Sequence, residues 1–159
     1  MPASDAHAHL LAELHARAFE VPWSAASLAE LMAMPRTFAL LAHGATSTDE
    51  PVHPAGFILC RVAAEECEVL TIAVDVATRE RGVAKALLDA ASTEAADRGA
   101  NAIYLEVAIN NAPARRLYAA AGFFPVGRRQ SYYQSAKDRP STDALVLMCP
   151  LNRSSSTKA

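Results

Sequence analysis

The spacing of apolar positions changes along the chain between helical and extended periods, and these periods predict the order of the elements. Residues 5–19 repeat apolar side chains at helical spacing, and Pro22 ends this first helix. Ser24 is suited to cap a second helix, which the pattern extends from Ala25 to about Met34. The further predicted elements are strands at 37–42, 55–63 and 67–74, a helix at 82–98, a strand at 101–108, a helix at 113–121, and strands at 123–133 and 142–151.

This order of elements indicates the fold class. Strands that alternate with long connecting helices form a central sheet with helices on its faces, so we expect a mixed α/β layer structure. A polar segment at 43–54 joins the first two strands as a loop. The chain shows no internal repeat and no dividing linker, so a single domain is expected over residues 1–151. The Ser-rich residues 152–159 are expected to form a disordered tail.

The composition narrows the classes of function. Of the 159 residues, 20% are charged and the formal net charge is −2, so the chain lacks the basic excess of a nucleic-acid-binding protein. The three cysteines are odd in number and irregularly spaced, which disfavours a disulfide framework or a structural zinc site. We therefore expect buried free thiols, a reducing compartment and no metal.

The termini and the histidines add three expectations. The N-terminal residues show no basic segment followed by an apolar one, as a signal peptide would. No apolar run approaches the length of a membrane span, so a cytoplasmic protein without membrane association is expected. The first predicted helix carries His7, His9 and His15, which we expect to be solvated rather than to act as ligands.

A short loop at residues 79–84 (RERGVA) joins the third predicted strand to the helix at 82–98. The first turn of a helix exposes unpaired N–H groups at its positive dipole end, and together these favour an anion. Gly82 lets a phosphate approach the backbone, and Ala84 keeps the next approach point open. Three side chains add positive charge nearby: Arg79, Arg81 and Lys85.

Taken alone, this loop supports two interpretations. It contains neither the GxxxxGK[S/T] nor the GxGxxG arrangement of well-known phosphate loops. A glycine at a tight strand-to-helix turn, with solvated charges beside it, explains the same pattern. The phosphate interpretation therefore depends on the residues further along the chain.

Downstream of this helix, an acidic residue interrupts an otherwise apolar strand. By period-two alternation Glu106 lies on the strand face opposite Leu105 and Val107. A carboxylate in mid-strand costs free energy unless it is solvated or paired. Asn111 comes next at the turn and Tyr118 lies in the next helix, so we expect these residues and Glu106 to lie near one pocket.

Several stretches of the chain together resemble a known family. RERGVA is similar to the Gln/Arg-x-x-Gly-x-Gly/Ala loop with which the GNAT N-acetyltransferases bind the pyrophosphate of acyl-CoA. The element order also resembles that fold. More narrowly, the chain resembles the RimI-type acetyltransferases, which modify the N-terminal alanine of a small-subunit ribosomal protein. The stretches that carry the resemblance are VPWS (21–24), TIAVD (71–75), RERGVAKALL (79–88), YLEV (104–107), NNAPARRLYAAAGF (110–123) and RRQSYY (128–133).

The resemblance implies a mixed central sheet of about six to seven strands flanked by helices, with acetyl-CoA as co-substrate. It implies that backbone groups of one strand hydrogen-bond the pantetheine arm and the acetyl group, and that Asn111 contacts the same arm. The strand residues are Ile72, Ala73 and Val74. The residues implied to hold the pyrophosphate are Arg79, Glu80, Arg81, Gly82, Val83, Ala84 and Lys85.

The resemblance also implies how the reaction proceeds. Glu106 would be the general base for the amine, and Tyr118 the general acid for the leaving thiolate. Trp23 would border the acceptor groove, although a lone tryptophan equally fits a core. Tyr132 and Tyr133 would also border it, but neighbouring strand residues face opposite sides, so at most one is expected to reach the substrate.

Two positions on the acceptor side depart from the family pattern. Ala108 stands where family members often carry Arg directly after the Leu-Glu-Val stretch. Asn110 precedes Asn111 where Ser-Asn is common. Neither position belongs to the implied base, acid or phosphate loop, so the departures bear on the identity of the acceptor.

The expected function is direct acetyl transfer from acetyl-CoA to the N-terminal α-amino group of a protein, such as a ribosomal protein. An α-amino group titrates near ~8, so a large minority is already neutral and a weak base suffices. Two alternatives stay open: an acetyltransferase for a small amine or a lysine side chain, and a non-catalytic CoA-binding module. The presence of both Glu106 and Tyr118 favours an enzyme over the module.

Overall fold

A computed structural model describes residues 2–19, 21–44, 54–79, 82–133 and 142–152. Within these ranges, seven strands form one mixed sheet in the order β1-β2-β3-β4-β5-β7-β6. The strands are β1 (Pro2–Ala3), β2 (Thr37–His43), β3 (Pro54–Ala63), β4 (Glu66–Val74), β5 (Ala102–Ala108), β6 (Phe124–Tyr133) and β7 (Thr142–Pro150). The α-helices are α1 (Ala8–Ala18), α2 (Ala25–Ala33), α3 (Val83–Asp97) and α4 (Ala112–Ala120). The predicted mixed α/β fold class is therefore confirmed.

The sequence pattern did not predict strand β1 or one 3-10 turn, and the start of the first predicted helix is a second 3-10 turn. Strand β1 adds an edge to the sheet by pairing Pro2 with Leu40 and Ala3 with Ala39, and two residues are too few for a period to be detected. Single 3-10 turns at Asp5–His7 and Val76–Thr78 precede α1 and follow β4. The predicted tail beyond Asn152 and most of the predicted loop at 43–54 lie outside the described residues.

The sheet changes from antiparallel to parallel at its centre. Strands β1 to β4 pair antiparallel in chain order, whereas β4 and β5 are parallel neighbours. A parallel pair needs a crossover connection, and α3 supplies it. Strand β7 then pairs antiparallel with both β5 and β6. The candidate functional site lies at this parallel pair of strands.

One face of the sheet packs on α3 and α4. In α3 the buried side chains recur at helical spacing, with Leu87, Leu88, Ala91 and Ala95 turned toward the sheet. The strand residues of this core are Phe38, Ile58, Cys60, Val62, Cys67, Val69, Ile103, Leu105, Val107 and Leu147. We call this side the α3 face.

The opposite face packs on α1 and α2, and we call it the α1 face. Leu11, Leu14 and Leu28 meet the sheet there and are fully or almost fully buried. The strand residues of this second core are Ala39, Leu41, Phe57, Leu59 and Ala73, all from β2, β3 and β4. The two cores together fix the central strands from both sides.

The residues predicted to cap α2 and α4, and the glycine predicted to end α3, have these functions in the structure. The Ser24 hydroxyl accepts from Ser27 N at 3.1 Å and caps α2, and Asn111 Oδ1 accepts from Ala114 N at 3.2 Å and caps α4. Gly99 follows α3 in the left-handed region with φ 93°.

Cys60 and Cys67 are buried free thiols, as predicted, and lie on neighbouring strands. The hydrogen bond with the Cys67 thiol and burial both raise the pKa of Cys60. No helix of the described residues is long and apolar enough to cross a membrane.

Candidate active site

The parallel strands β4 and β5 separate along their length. Their pairing runs from Glu66 with Ala102 to Glu68 with Tyr104, although both strands continue toward their carboxyl ends. A β-bulge in β4 lies just beyond the paired part: Cys60 of β3 pairs with Val69, and Leu59 pairs with Thr71, which leaves Leu70 as the extra residue. A bulge bends its strand and increases its twist. We call the opening between residues 69–74 and 105–108 the split.

Glu106 lies beside the split on the α1 face. Its neighbours in β5, Leu105 and Val107, are buried on the α3 face, as the alternation predicted. Only 21% of the Glu106 side chain is exposed. It contributes to an open cleft whose other lining residues come from β3, β4, β5 and β7: Arg61, Ala63, Glu66, Cys67, Glu68, Tyr104, Leu105 and Val146.

An ion pair that no local sequence pattern predicted holds the Glu106 carboxylate. Arg129 Nη1 donates to Glu106 Oε1 at 2.8 Å from strand β6, two strands away across β7. The residues are 23 positions apart, and β6 is bulged between Pro125 and Gly127. A bulge shifts every later side chain to the other face, so period-two alternation alone does not assign a face to Arg129.

Tyr118 approaches from the opposite side of the sheet. It lies in α4, belongs to the core of the α3 face, and packs edge-to-face on Phe123 with ring centroids 5.9 Å apart. The residue is 8% exposed. The predicted base and the predicted acid therefore belong to different faces of the sheet.

The turn between β5 and α4 is tightly fixed. Asn111 N donates to Ala108 O at 2.9 Å while the Asn111 side chain caps the helix. Arg115 Nη1 donates to Ile109 O at 3.0 Å. Asn111 thus has a structural function in this turn, beside the contact with the cofactor arm that the resemblance implies.

Gly82 marks the start of α3 and has the backbone that a phosphate loop needs. Its φ of 77° lies in the left-handed region, and a Cβ added there meets no atom within 4 Å. Lys85 pairs with Asp89 at 2.9 Å, and Val83 and Ala84 are half-buried. Arg79 is exposed, whereas Glu80 and Arg81 lie outside the described residues.

The carboxyl end of β4 is anchored where it leads into this loop. Asp75 accepts from Ala77 N at 3.1 Å and pairs with Arg17 of α1, also at 3.1 Å. The predicted binding strand precedes it: Ala73 is buried on the α1 face, and Ile72 and Val74 are half-buried against the α3 face.

Gly56 is a further residue on which this geometry depends. A Cβ at Gly56 in β3 would lie 2.6 Å from Ala73 O, 3.2 Å from Val74 Cα and 3.3 Å from Leu87 Cδ1. Glycine therefore allows β3, the end of β4 and α3 to approach one another closely. The glycine within a predicted strand was the available sequence signal for this close approach.

His15 corrects one expectation, because it is buried rather than solvated. It is 2% exposed and stacks on Phe19 and Trp23, at centroid distances of 4.2 and 5.0 Å, with Phe57 of β3 further away. Phe19 lies four positions after His15, whereas Trp23 and Phe57 lie outside the first predicted helix, so helical periodicity did not reveal these two partners. Burial lowers the pKa of His15, and its Nδ1 accepts from Trp23 N at 3.1 Å.

Trp23 is half-buried on the α1 face, the face that also carries Glu106. Its packing against the core of the α1 face fits the alternative core position, and the position beside the acceptor groove stays a prediction. Strand β6 includes Tyr132 and Tyr133, whose side chains lie outside the described part of the chain. Among the residues that the structure describes, no three His, Cys, Asp or Glu side chains are grouped so that they could hold a metal ion.

Comparison with known proteins identifies the family. Residues 8–123 match the family model described as "Acetyltransferase (GNAT) family". The chain therefore belongs to the GNAT acetyltransferase family, which confirms the fold class that the resemblance implied.

Individual relatives are more specific. The chain is 33% identical over 98 residues to the Escherichia coli "[Ribosomal protein bS18]-alanine N-acetyltransferase". This match covers 62% of the chain and 65% of the relative, so it spans slightly less than two thirds of that protein. The predicted similarity to RimI-type enzymes is thereby confirmed.

Solved structures share the fold. The crystal structure of the E. coli ribosomal-protein-S18-alanine N-acetyltransferase superposes with a TM-score of 0.83 at 24% identity, covering 100% of this chain and 97% of that one. Arabidopsis thaliana NAA60, solved with a bisubstrate analogue, gives a TM-score of 0.81 at 20% identity, covering 97% and 98%.

Proposed function

We propose that the protein transfers the acetyl group of acetyl-CoA to the N-terminal α-amino group of a protein. The observation that carries this proposal is the split between β4 and β5, with Glu106 beside it on the α1 face and Tyr118 packed on the α3 face. The pairing of β4 with β5 ends at Glu68 and Tyr104, so we infer that two substrates meet at the split from opposite faces of the sheet. Glu106 then faces the amine, and Tyr118 faces the thioester.

The acceptor class is supported by the curated relative. That protein is named for acetylation of an alanine of ribosomal protein bS18. The proposed acceptor of this chain is therefore a free N-terminal α-amino group, such as that of a ribosomal protein. Acetylation of a lysine side chain or a small amine stays the competing outcome of the test.

Acetyl-CoA fits the residues of the α3 side. The N–H groups at the start of α3, with the open space above Gly82, suit the pyrophosphate, and Arg79 supplies positive charge beside them. Backbone groups of Ile72, Ala73 and Val74 line the split and would hydrogen-bond the pantetheine arm. The Asn111 amide is placed at the start of α4, where it would donate to the same arm.

The proposed reaction is a direct transfer between two bound substrates. The neutral amine attacks the thioester carbonyl, so a C–N bond forms and the C–S bond breaks. Glu106 takes the amine proton, directly or through one water. The thiolate of CoA, with a pKa of about 8.5, accepts a proton from the Tyr118 phenol, whose class titrates at about 10. A β4 backbone N–H near Val74 would stabilise the oxyanion.

The test measures acetyl transfer by mass spectrometry with two matched peptides. One has a free N-terminal alanine and no lysine, and the other has a blocked N-terminus and one internal lysine. We expect transfer to the first peptide, and Glu106→Gln should lower the rate about 100-fold or more because a general base typically contributes that much.

Each outcome decides between functions. Transfer to the lysine peptide alone would contradict the N-terminal proposal and favour the lysine or small-amine enzyme. Acetyl-CoA binding without transfer to either peptide would contradict it in favour of another acceptor or a non-catalytic module. Full activity of Glu106→Gln would overturn the assignment of the base while leaving the acceptor class intact.

A further inference from the structure

We propose that Arg129 is a positioning residue for Glu106: it holds the carboxylate of the proposed base in one orientation toward the split. This inference rests on the proposed function and adds a residue to its machinery. Arg129 lies on β6, outside the strands that form the split, and acts through Glu106.

The register of three strands brings Arg129 to the face of Glu106. Arg129 is paired with Ala144 of β7, and Ala144 is paired with Ala108 of β5, so the three share one face of the sheet. Glu106 lies two residues before Ala108 and therefore on that same face. The Arg129 side chain reaches it diagonally, and Nη1 to Oε1 is 2.8 Å.

Ala144 makes this diagonal contact possible. Ala144 lies on β7 between its two register partners, Arg129 of β6 and Ala108 of β5. Its small side chain is fully buried. A larger residue at this position would stand in the path of the guanidinium. Ala108 is the partner of Ala144 on the other side. Small residues on both strands thus leave room for the Arg129 side chain beside Glu106.

The ion pair suits the chemistry of a base that must stay in place. A glutamate has several rotatable bonds, and a charge-assisted hydrogen bond from a planar guanidinium fixes its carboxylate. The contact with Arg129 uses Oε1, and a carboxylate offers about four acceptor sites, so it can hold a guanidinium and still accept an amine proton. A base that is misplaced by about 1 Å can lose about 100-fold in rate.

The neighbouring Arg128 provides a matched control. It pairs with Asp143, with Nε to Oδ2 at 2.7 Å, and lies opposite Leu145, which packs against the α3 face. The exposed fractions of the two pairs are nearly equal, at 55% and 22% for Arg128 with Asp143 and 54% and 21% for Arg129 with Glu106. Removal of either arginine therefore costs the same kind of surface ion pair, which contributes little to stability.

The experiment compares steady-state kinetics of the full chain with the free N-terminal alanine peptide and acetyl-CoA. We expect Arg129→Gln to lower kcat about tenfold or more while the KM for acetyl-CoA stays unchanged. Arg129→Lys should recover part of the loss, because it restores the charge without the planar fork. Arg128→Gln should match the unaltered protein.

A double-mutant cycle separates positioning from a general structural effect. If Arg129 acts through Glu106, adding Arg129→Gln to Glu106→Gln causes no further loss of kcat. A further loss in the double variant, an equal loss in Arg128→Gln, or full activity of Arg129→Gln would each overturn the positioning role. Full activity of Glu106→Gln would overturn the proposed base and the positioning role with it, whereas the other outcomes leave the proposed function standing.

Discussion

At the scale of single residues, position on the sheet separates the two proposed proton-transfer groups. Glu106 is one-fifth exposed beside an open cleft, whereas Tyr118 packs in the core of the opposite face. In the proposed reaction, an amine on the α1 face would meet the carboxylate, and a thioester on the α3 face would meet the phenol. The residue types suit these tasks because a carboxylate accepts a proton and a phenol can donate one.

The Tyr118 hydroxyl gives a prediction that separates catalysis from packing. Tyr118→Phe keeps the ring and its contact with Phe123 but removes the proton donor. We expect kcat to fall about 10- to 100-fold while the thermal midpoint and the Kd for acetyl-CoA change little. Steady-state kinetics and thermal denaturation measure both. An unchanged kcat would show that Tyr118 has only a packing function.

The sequence predicted candidate site residues but not the contacts between them. Glu106 and Tyr118 could be predicted because strand alternation and family motifs can both be detected within short stretches of sequence. The ion pair with Arg129 depends on the pairing of β5, β7 and β6 and on a bulge in β6, and neither can be read from a local period. The burial of His15 likewise depends on Phe57 of β3, which is 42 positions away (57 − 15).

At the scale of elements, hydrogen bonds fix the end of β4, and open space lies above the start of α3. The Asp75 carboxylate fixes the carboxyl end of β4, and Gly82 begins α3 with a left-handed backbone and open space above it. Gly56 allows the same strand end to approach β3 and α3. The first turn of α3 can therefore expose backbone N–H groups toward an anion.

Gly82→Ala tests this function of the loop. A left-handed alanine costs about 1 kcal/mol of stability, and its Cβ would enter the open space where we propose that the pyrophosphate binds. We expect the Kd for acetyl-CoA to rise about tenfold or more, as the loss of one charge-assisted hydrogen bond would cause. Isothermal titration calorimetry measures this Kd.

Gly99→Ala at the other end of α3 is the matched control, because Gly99 also has a left-handed φ of 93°. It should lose similar stability and keep the acetyl-CoA affinity of the unaltered protein. Equal Kd values for the two variants would contradict a phosphate-binding function for Gly82.

The connection between α1 and α2 should respond to pH through His15. Burial lowers the pKa of His15 below its ordinary value of 6.5, so the folded state holds a neutral imidazole that accepts from Trp23 N. Below about pH 6.5 the unfolded chain binds a proton that the folded chain resists. The contribution of His15 to stability is therefore fully present above about pH 6.5 and is lost as pH falls toward the folded-state pKa.

Urea unfolding between about pH 7 and about pH 5 tests this dependence. His15→Asn should weaken the pH dependence, since an amide oxygen can accept a hydrogen bond but does not titrate in this range. His9→Asn, at an exposed position of the same helix, should follow the unaltered protein. An equally steep loss of stability in His15→Asn would contradict the assignment to His15.

At the scale of the whole molecule, the proposed function requires two substrates to reach one sheet from opposite sides. Helix α3 crosses from β4 to β5 on one face, and α1 and α2 pack on β2, β3 and β4 of the other face, so we propose that the β5–β7 part of that second face takes the acceptor. A ligand that binds only the folded state raises the free energy of unfolding by mass action. Acetyl-CoA at about 100 times its Kd should add about 2.7 kcal/mol to the free energy of unfolding.

The overall architecture was predictable because its main signals are long and periodic. The helix at 83–97 and the strands around the split were predicted within one residue of their ends, since each carries a clear apolar pattern. Strand β1 is too short for such a pattern, and the split arises from a bulge and a change of pairing rather than from composition. Sequence therefore predicted the strands of the site but not the opening between them.

The measurement that tests the central claim most directly uses one peptide with a free N-terminal alanine and an internal lysine. The peptide is incubated with acetyl-CoA and the purified protein, and tandem mass spectrometry locates the acetyl group. The proposed function predicts acetylation of the α-amino group. Acetylation of the lysine side chain, with an unmodified N-terminus, would contradict it.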